Sequence, residues 1–231
     1  MRINRRITNL LRFFMDELLP PILRDNKYFM YPLFYIWFKG KYINEIMNLK
    51  SDIYSYSNSE MEDFYRKIQT MDYDRKTGLN KKSFNFIINN LHKDARKIID
   101  IGCGRGYIVK KLSSLGYESS GCDVFKELDL GSSKYFQGNI ENLPFYDKEY
   151  DVVICTHTLE HILNLNSAVS ELKRIAKKQI IIVVPCQRFF YYTLDTHVNF
   201  FLKKEMLENI INMKNYICKY IQGDIAYSGN F

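Results

Sequence analysis

The chain has 231 residues, of which 46% are hydrophobic and 26% are charged. This length is enough for one domain with an appendage, and the composition is that of a soluble globular protein. Lysine and arginine number 33 against 26 aspartates and glutamates, which gives a net charge of +7. The surplus suits an anionic partner, such as nucleic acid, a phospholipid surface or a phosphorylated or nucleotide-linked substrate. Because the basic residues are scattered, a solvated basic surface is the simpler interpretation.

Cysteine usage and the N-terminus favour a cytoplasmic protein. The five cysteines include no C-x-x-C pair, and we interpret them as reduced, mostly buried thiols. No small-residue cleavage site follows the basic N-terminus, so the sequence predicts no signal peptide. The most hydrophobic window, residues 28–38, is shorter than the roughly 20 residues of a membrane span. This window is therefore expected not to cross a bilayer, although it is able to lie on one.

The first 95 residues are predicted to form a helical N-terminal extension. Apolar residues recur over 7–19 with the spacing of an amphipathic helix. Further helices are predicted over 60–68 and 83–91, the second of them capped by Asn80. Pro20-Pro21, Pro32 and Gly40 are expected to break the helical segments.

From Ile98 onward, short apolar runs alternate with helical stretches. The predicted strands are Lys97–Ile101, Tyr117–Cys122, Lys134–Gln137, Tyr150–Cys155 and Gln179–Val184. Helices fit at about 106–115, 160–177 and 203–213. This rhythm predicts an α/β fold over residues 96–231, with a mostly parallel sheet and helices on both faces.

A glycine-rich turn follows the first predicted strand, in the sequence Asp100-Ile-Gly-Cys-Gly-Arg-Gly106. Glycines at a strand-to-helix turn let the backbone approach a ligand closely. The spacing is G-x-G-x-G, not the G-x-G-x-x-G of a dinucleotide site, which disfavours a nicotinamide-dependent oxidoreductase. A carboxylate at Asp100 can accept a hydrogen bond from a ligand ammonium and would repel a pyrophosphate.

Three further motifs follow in order. Asp123 ends the second strand, where an acid can bind ribose hydroxyls. Gly138-Asn-Ile-Glu-Asn-Leu-Pro-Phe145 follows the third strand, and Thr156-His-Thr-Leu-Glu-His161 follows the fourth. In order and spacing, residues 96–215 resemble class I S-adenosylmethionine-dependent methyltransferases, which have a Rossmann-like fold.

The resemblance implies a set of S-adenosylmethionine-binding residues. Gly102 and Gly104 would line the methionine part, Asp123 would hold the ribose, and Thr156 would lie near the sulfonium. Asn139 and Ile140 would flank the adenine, although the family usually has Asp at the position of Asn139. The full predicted set is Asp100, Gly102, Cys103, Gly104, Asp123, Val124, Asn139, Ile140 and Thr156.

Histidines near the fourth and fifth strands suggest two further roles. If 157–161 is helical, then His157, Glu160 and His161 share one face, and His197 can approach them. These four residues form a candidate site for a divalent metal ion. Alternatively, the Glu-His pair is a family signature that packs without metal. We also consider His157, His161 and His197 as catalytic residues, with His157 or His197 as a general base.

The N-terminal extension indicates which class of molecule accepts the methyl group. Three segments resemble the N-termini of methyltransferases from bacterial capsule and O-antigen gene clusters: Leu19-Pro-Pro-Ile-Leu-Arg-Asp25, Phe29-Met-Tyr-Pro32 and Phe38-Lys-Gly-Lys41. This resemblance implies O-methylation of a sugar, phosphate or phosphoramidate group, with residues 1–95 as a lid. Another small-molecule acceptor, or a non-catalytic protein that binds S-adenosylmethionine, are alternatives. No D/N-P-P-Y/F motif occurs, so a nucleic-acid partner is not expected.

Overall fold

The computed structural model describes residues 13–69 and 77–231. The chain divides into two compact units, and each is described separately. The first unit comprises Met1–Arg75 and Phe189–Val198, and the second comprises Lys76–Arg188 and Asn199–Phe231. The boundary predicted from the sequence, between residues 95 and 96, differs from this one.

The first unit is helical in its described part. It contains a π-helical turn at Phe14–Leu18, helices α1 (Pro21–Arg24), α2 (Lys27–Trp37) and α3 (Ile43–Asp52), a 3-10 turn at Ile53–Ser55, and helix α4 (Asn58–Gln69). Helix α4 confirms the helix predicted over 60–68. The helix predicted over 7–19 lies partly outside the described residues, and its described end is the π-helical turn. For helices α2 and α3, which lie in the predicted helical extension, no bounds were predicted.

Helix α2 continues through Pro32, which we predicted to break it. A proline inside a helix costs about 3 kcal/mol because one hydrogen bond is lost and the ring clashes with the preceding turn. Met30 and Phe34 lie on either side of Pro32 and are completely buried. Burial of two such side chains contributes roughly 1.5–3 kcal/mol each, which offsets the cost. The Asn26 side chain caps the helix by accepting hydrogen bonds from the N–H groups of Tyr28 and Phe29.

The segment Phe189–Val198 belongs to the first unit because its backbone and rings contact the helices. The Lys50 ammonium donates hydrogen bonds to the carbonyl oxygens of Phe190 and Tyr191. The Phe34 ring meets Tyr192 edge to face, with 6.1 Å between the ring centroids.

The second unit is an α/β sandwich built on one sheet. Its helices are α5 (Lys81–Asn89), α6 (Tyr107–Ser114), α7 (Leu165–Ile175) and α8 (Lys204–Ile211). Its strands are β1 (Lys97–Ile101), β2 (Glu118–Asp123), β3 (Lys134–Gln137), β4 (Tyr150–Thr156), β5 (Ala176–Pro185), β6 (Asn215–Ile221) and β7 (Asp224–Asn230). Within the described residues the strand order is β3-β2-β1-β4-β5-β7-β6. Strands β1 to β5 are parallel, and β7 pairs antiparallel with both β5 and β6.

Both faces of the sheet are covered, which explains the continuous apolar runs in its central strands. Ile99 and Ile101 pack in one hydrophobic cluster with residues of α7 and α8. Ile98, the residue before Ile99 in β1, packs on the other face with residues of α5 and α6. Helix α5 is thus part of the sheet unit, which therefore begins ahead of residue 96.

The mostly parallel sheet with helices on both faces confirms the predicted fold class, and the five predicted strands are all present. Strands β6 and β7 were not predicted. The helix predicted over 160–177 begins only at Leu165, where the Asn164 side chain caps it by accepting from the Ser167 N–H. Leu159–His161 is instead a 3-10 turn.

Candidate cofactor and acceptor site

The predicted cofactor-binding residues meet at the carboxyl ends of neighbouring strands. Asp100 lies near the end of β1, Asp123 ends β2 and Thr156 ends β4. Since β1 lies between β2 and β4, the direction of chain progression reverses there. Parallel α/β sheets bind their ligands in the crevice at such a reversal.

The glycine turn after β1 depends on left-handed backbone conformations. The φ angles of Gly102, Gly104 and Gly106 are +71°, +51° and +70°. A Cβ atom on Gly102 would lie 2.2 Å from the Thr158 hydroxyl oxygen, whereas a Cβ on Gly104 would meet nothing within 4 Å. The first glycine is therefore required by the fold, and the backbone at the second faces open space that a ligand can fill.

Asp123 is bound to the glycine turn through its side chain. One carboxylate oxygen accepts a hydrogen bond of 2.8 Å from the Gly104 N–H, and the other accepts one of 2.8 Å from the Val124 N–H. Burial raises the pKa of Asp123, and these backbone hydrogen bonds partly offset the rise. Asp123 therefore links the ends of β1 and β2, and it is placed to reach a ligand in the turn.

Asp100 is a buried acid with one oxygen unsatisfied. Its side chain is 2% exposed, and Oδ1 has no hydrogen-bond partner among the residues that the structure describes. Burial, reinforced by the charge of Asp123, raises the pKa of Asp100 well above its usual range. An unsatisfied buried carboxyl oxygen costs free energy, which a donor from a ligand would recover. The ammonium of an amino-acid moiety is such a donor.

The remaining predicted cofactor-binding residues lie after β2, after β3 and in the glycine turn. Asn139 follows β3, and its side-chain oxygen accepts a hydrogen bond of 2.8 Å from the Glu141 N–H. Ile140 is buried beside it, and Val124 is half-buried at the end of β2. Burial, reinforced by the charge of Asp100, raises the pKa of the Cys103 thiol. Cys103 is therefore a packing residue next to the glycines and not a thiolate nucleophile.

His157 does not lie on a helix with Glu160 and His161, so the condition under which the three residues would share one helical face is not met. Its backbone is left-handed, with φ of +51°, and the backbone N–H donates to the Val183 carbonyl of the adjacent strand. This bond belongs to the last pair of the β4–β5 ladder, Thr156 with Val183. The chain then turns sharply into the 3-10 turn at Leu159–His161.

The His157 imidazole lies between two carboxylates. Nδ1 is 3.4 Å from Glu160 Oε1, and Nε2 is 3.5 Å from Asp224 Oδ1. Burial alone would lower the pKa of His157, but the two carboxylates outweigh this effect and raise the pKa to about 10. Both ring nitrogens thus face acids, and the imidazole carries a positive charge near neutral pH.

Asp224, Asn80 and Ser83 complete this network, and sequence reasoning missed their part in it. Asp224 begins β7 and accepts hydrogen bonds from the Asn80 amide (2.7 Å) and the Ser83 hydroxyl (2.6 Å). Asn80 was predicted only as a helix cap, which it also is. Asp224 lies outside every motif, and its position depends on a hairpin that was not predicted.

Glu160 and His161 lie side by side. The Glu160 side chain is fully buried, and one of its oxygens lies within 4.8 Å of a His161 ring nitrogen. The Glu160 carbonyl accepts from the Asn199 N–H at 2.9 Å. His197 is buried in the other unit. The metal site and the catalytic roles of the three histidines stay predictions.

Comparison with known proteins shows what part of the second unit resembles. Residues 99–184 match the family model of a methyltransferase domain. This stretch is similar to a methyltransferase domain. It contains the end of β1, the glycine turn, Asp123 and the turn that holds His157, so the match covers the predicted cofactor-binding residues, whereas Asn80, Ser83 and Asp224 lie outside it.

Curated relatives share part of their length with this chain. The uncharacterized methyltransferase YcgJ of Bacillus subtilis is 30% identical over 93 residues, which are 36% of this chain and 37% of that protein. A ubiquinone biosynthesis O-methyltransferase of Proteus mirabilis is 29% identical over 130 residues, 51% of this chain and 50% of that protein. The chain therefore spans half or less of the length of these relatives.

Solved structures share the fold. The crystal structure of an S-adenosylmethionine-dependent methyltransferase from Archaeoglobus fulgidus has a TM-score of 0.53 at 18% identity, covering 64% of this chain and 92% of that one. YcgJ from Bacillus subtilis has a TM-score of 0.51 at 20% identity, covering 61% and 71%. At these identities the likeness concerns the methyltransferase fold alone.

Proposed function

We propose that this protein transfers the methyl group of S-adenosylmethionine to an oxygen atom of a small acceptor. The observation that carries the proposal is the buried Asp100 carboxyl group with its unsatisfied Oδ1 atom, one strand from Asp123 and next to the glycine turn. This arrangement suits a ligand with both an ammonium group and a ribose. It occurs within the stretch that matches the family model of a methyltransferase domain.

Each of the residues at the strand ends would bind a different part of the cofactor. Asp100 would accept from the ammonium, the open backbone at Gly104 would receive the methionine part, and Asp123 would accept from the ribose hydroxyls. The bound cofactor supplies a methyl group on a sulfonium, which is already a good leaving group. The protein's task is therefore to align the acceptor with that methyl group and to exclude water.

We infer that His157 is a positioning residue and not the general base considered from the sequence. Its two ring nitrogens face Glu160 and Asp224, and its pKa of about 10 keeps it protonated near neutral pH. A protonated imidazole cannot take a proton from an alcohol. It can fix the orientation of the buried Glu160 carboxylate, which lies next to His161.

Oxygen is the acceptor atom that the relatives favour, because several of them are named as O-methyltransferases of ubiquinone biosynthesis. For the acceptor itself we propose a sugar, phosphate or phosphoramidate group in bacterial surface polysaccharide synthesis. The support is the sequence resemblance of the N-terminal extension, together with the net charge of +7, which suits an anionic acceptor.

Calorimetry on the full chain tests the cofactor part of the proposal. We expect S-adenosylhomocysteine to bind and NAD not to bind. Tight NAD binding without S-adenosylhomocysteine binding would overturn it.

Turnover tests the acceptor part. The chain is incubated with S-adenosylmethionine and a panel of nucleotide sugars, sugar phosphates and polyphenols, and the release of S-adenosylhomocysteine is measured. We expect release with phosphorylated or nucleotide-linked sugars. Release only with polyphenols contradicts the polysaccharide proposal but retains O-methylation. Binding without release from any acceptor favours the non-catalytic alternative.

A further inference from the structure

Helix α2 has an apolar face that nothing in the described structure covers. After Lys27 the helix contains no charged residue through Trp37. Met30 and Phe34 form its buried stripe. On the opposite side, Tyr28 is 90% exposed and Ile36 is 75% exposed. A helix that is apolar all round is normally buried in a core or in lipid. We therefore expect this exposed face to bind a partner.

The exposure extends to the residues ahead of α2. Within the described residues, 22 large hydrophobic side chains are exposed, and 11 of them lie in residues 13–36. Ile22, in α1, is 81% exposed and is among the most exposed of these. Half of the exposed apolar side chains are thus concentrated in 24 residues. Such concentration marks an interaction surface, whereas single exposed apolar residues do not.

Positive charge is concentrated in the same part of the sequence. Residues 1–42 contain eight Lys or Arg residues and three Asp or Glu residues, a surplus of five in a chain whose net charge is +7. Among the described residues, Lys27, Lys39 and Lys41 flank α2 and are exposed. The apolar face is therefore bordered by ammonium groups.

We propose that residues 13–41 bind the surface of an anionic phospholipid bilayer, with the exposed face of α2 in the headgroup region. None of the helices within the described residues has the length and apolar character needed to cross a bilayer. A helix at a bilayer surface needs an apolar face, aromatic rings with a polar tip and flanking basic residues. Tyr28, Tyr31 and Tyr35 supply such rings, and the flanking lysines supply the charge.

The charge distinguishes lipid from a protein partner. A second copy of the chain would bring the same surplus of positive charge to the contact, which disfavours association of two such faces. An anionic bilayer attracts each nearby basic residue by about 1 kcal/mol. Apolar burial and electrostatic attraction therefore act together only on a negatively charged lipid surface.

Vesicle co-sedimentation of the full chain tests the proposal. We expect binding to vesicles of phosphatidylglycerol and phosphatidylcholine, about tenfold weaker binding to pure phosphatidylcholine, and weakening by 0.5 M salt. The variant Tyr28→Asp/Ile36→Asp should bind the anionic vesicles at least about tenfold more weakly. Its matched control, Tyr146→Asp/Leu115→Asp, changes exposed residues of the other unit and should bind like the unmodified chain.

Three outcomes would overturn the proposal. The first is that the unmodified chain stays in the supernatant with anionic vesicles. The second is that the α2 variant, shown to be folded by circular dichroism, binds them as the control does. The third is a concentration-dependent dimer that the α2 variant dissociates while vesicles bind neither form, since the partner is then a second copy. If the Asp variant does not fold, Tyr28→Gln/Ile36→Gln takes its place with the same expectation.

Discussion

Gly104 and Gly131 have similar backbone conformations but different surroundings in the chain. Their φ angles are +51° and +69°, and a Cβ on either would meet nothing within 4 Å. Alanine in a left-handed conformation costs about 1–2 kcal/mol wherever it occurs. Only Gly104, however, belongs to the turn that we assign to the cofactor.

Gly104→Ala and Gly131→Ala should therefore have similar free energies of unfolding in urea but different affinities for S-adenosylhomocysteine. We expect Gly104→Ala to weaken binding by at least about tenfold in calorimetry, because the methyl group occupies space needed by the ligand. Gly131→Ala should bind as the unmodified chain does. Equal affinities of the two variants would place the ligand elsewhere.

Asp224 controls the protonation of His157 from a distance of 3.5 Å. Asp224→Asn removes one of the two carboxylates that raise the pKa of His157, while burial continues to lower it. The pKa of His157 should then fall clearly below its value of about 10. NMR titration of labelled histidine measures this change, with Asp129→Asn, in an exposed loop, as the control. A His157 pKa that is unchanged in Asp224→Asn would contradict the network.

Helix α5 is anchored at its first turn by two kinds of contact. The Asn80 side chain accepts from the Ser83 N–H as a cap and also donates to Asp224 at 2.7 Å. The Asn164 side chain caps α7 in the same way, accepting from the Ser167 N–H. The two residues thus differ in the additional tie to a buried acid of β7.

Asn80→Ala should therefore destabilise the protein more than Asn164→Ala does. Loss of a cap costs about 0.5–2 kcal/mol, and loss of a hydrogen bond to a buried charged group costs about 1.5–3 kcal/mol more. The free energy of unfolding from urea titration compares the two variants. If they lose the same amount, the Asn80–Asp224 bond contributes nothing to stability.

The elements that could be predicted from the sequence are those with a strong local pattern. Strands β1, β4 and β5 are buried on both faces and appear as unbroken apolar runs. Strand β6 is largely exposed, and β7 mixes small and polar residues, so neither has such a run. The two-residue turn between them, Gln222-Gly223, has positive φ angles at both positions. Of these two turn residues, only Gly223 is of a type that indicates a hairpin in the sequence.

The same limit applies to the site. The positions of Asp100 and Asp123 were predictable because each lies at or near the end of a strand with an apolar run, at a short distance along the chain from the glycine turn or from the strand after it. The His157–Asp224 contact joins residues 67 positions apart across an unpredicted hairpin, and no local spacing encodes it. The left-handed conformation of His157 could not be predicted from the sequence either, since it accompanies a hydrogen bond to Val183 of β5.

For the molecule as a whole, His157 links stability to pH. Its pKa is about 10 in the folded chain against a usual value of 6.5, so the folded state holds a proton that the unfolded state releases above pH 6.5. The stabilisation is complete below pH 6.5 and declines through pH 10, by at most about 1.4 kcal/mol per pH unit.

The variant His157→Gln removes this titration. Between pH 7 and pH 10 its free energy of unfolding should decrease less steeply than that of the unmodified chain, because other titrating groups remain in both. His92→Gln, which leaves Glu160 and Asp224 in contact with His157, should keep the steeper decrease. Urea titrations across this range provide the test, and parallel curves for all three proteins would refute the assignment.

The raised pKa of Asp100 has a further consequence for ligand uptake. Burial and the nearby charge of Asp123 shift this carboxyl group towards its neutral form in the free protein, whereas pairing with a ligand ammonium requires the carboxylate. Under the function we propose, an Asp100 that is protonated in the free protein must release its proton to solvent when the cofactor binds. The heat of binding then depends on the ionisation enthalpy of the buffer, and affinity rises with pH up to the pKa of the free protein. The protonation of this one buried carboxyl group thus makes cofactor binding depend on the pH of the solution.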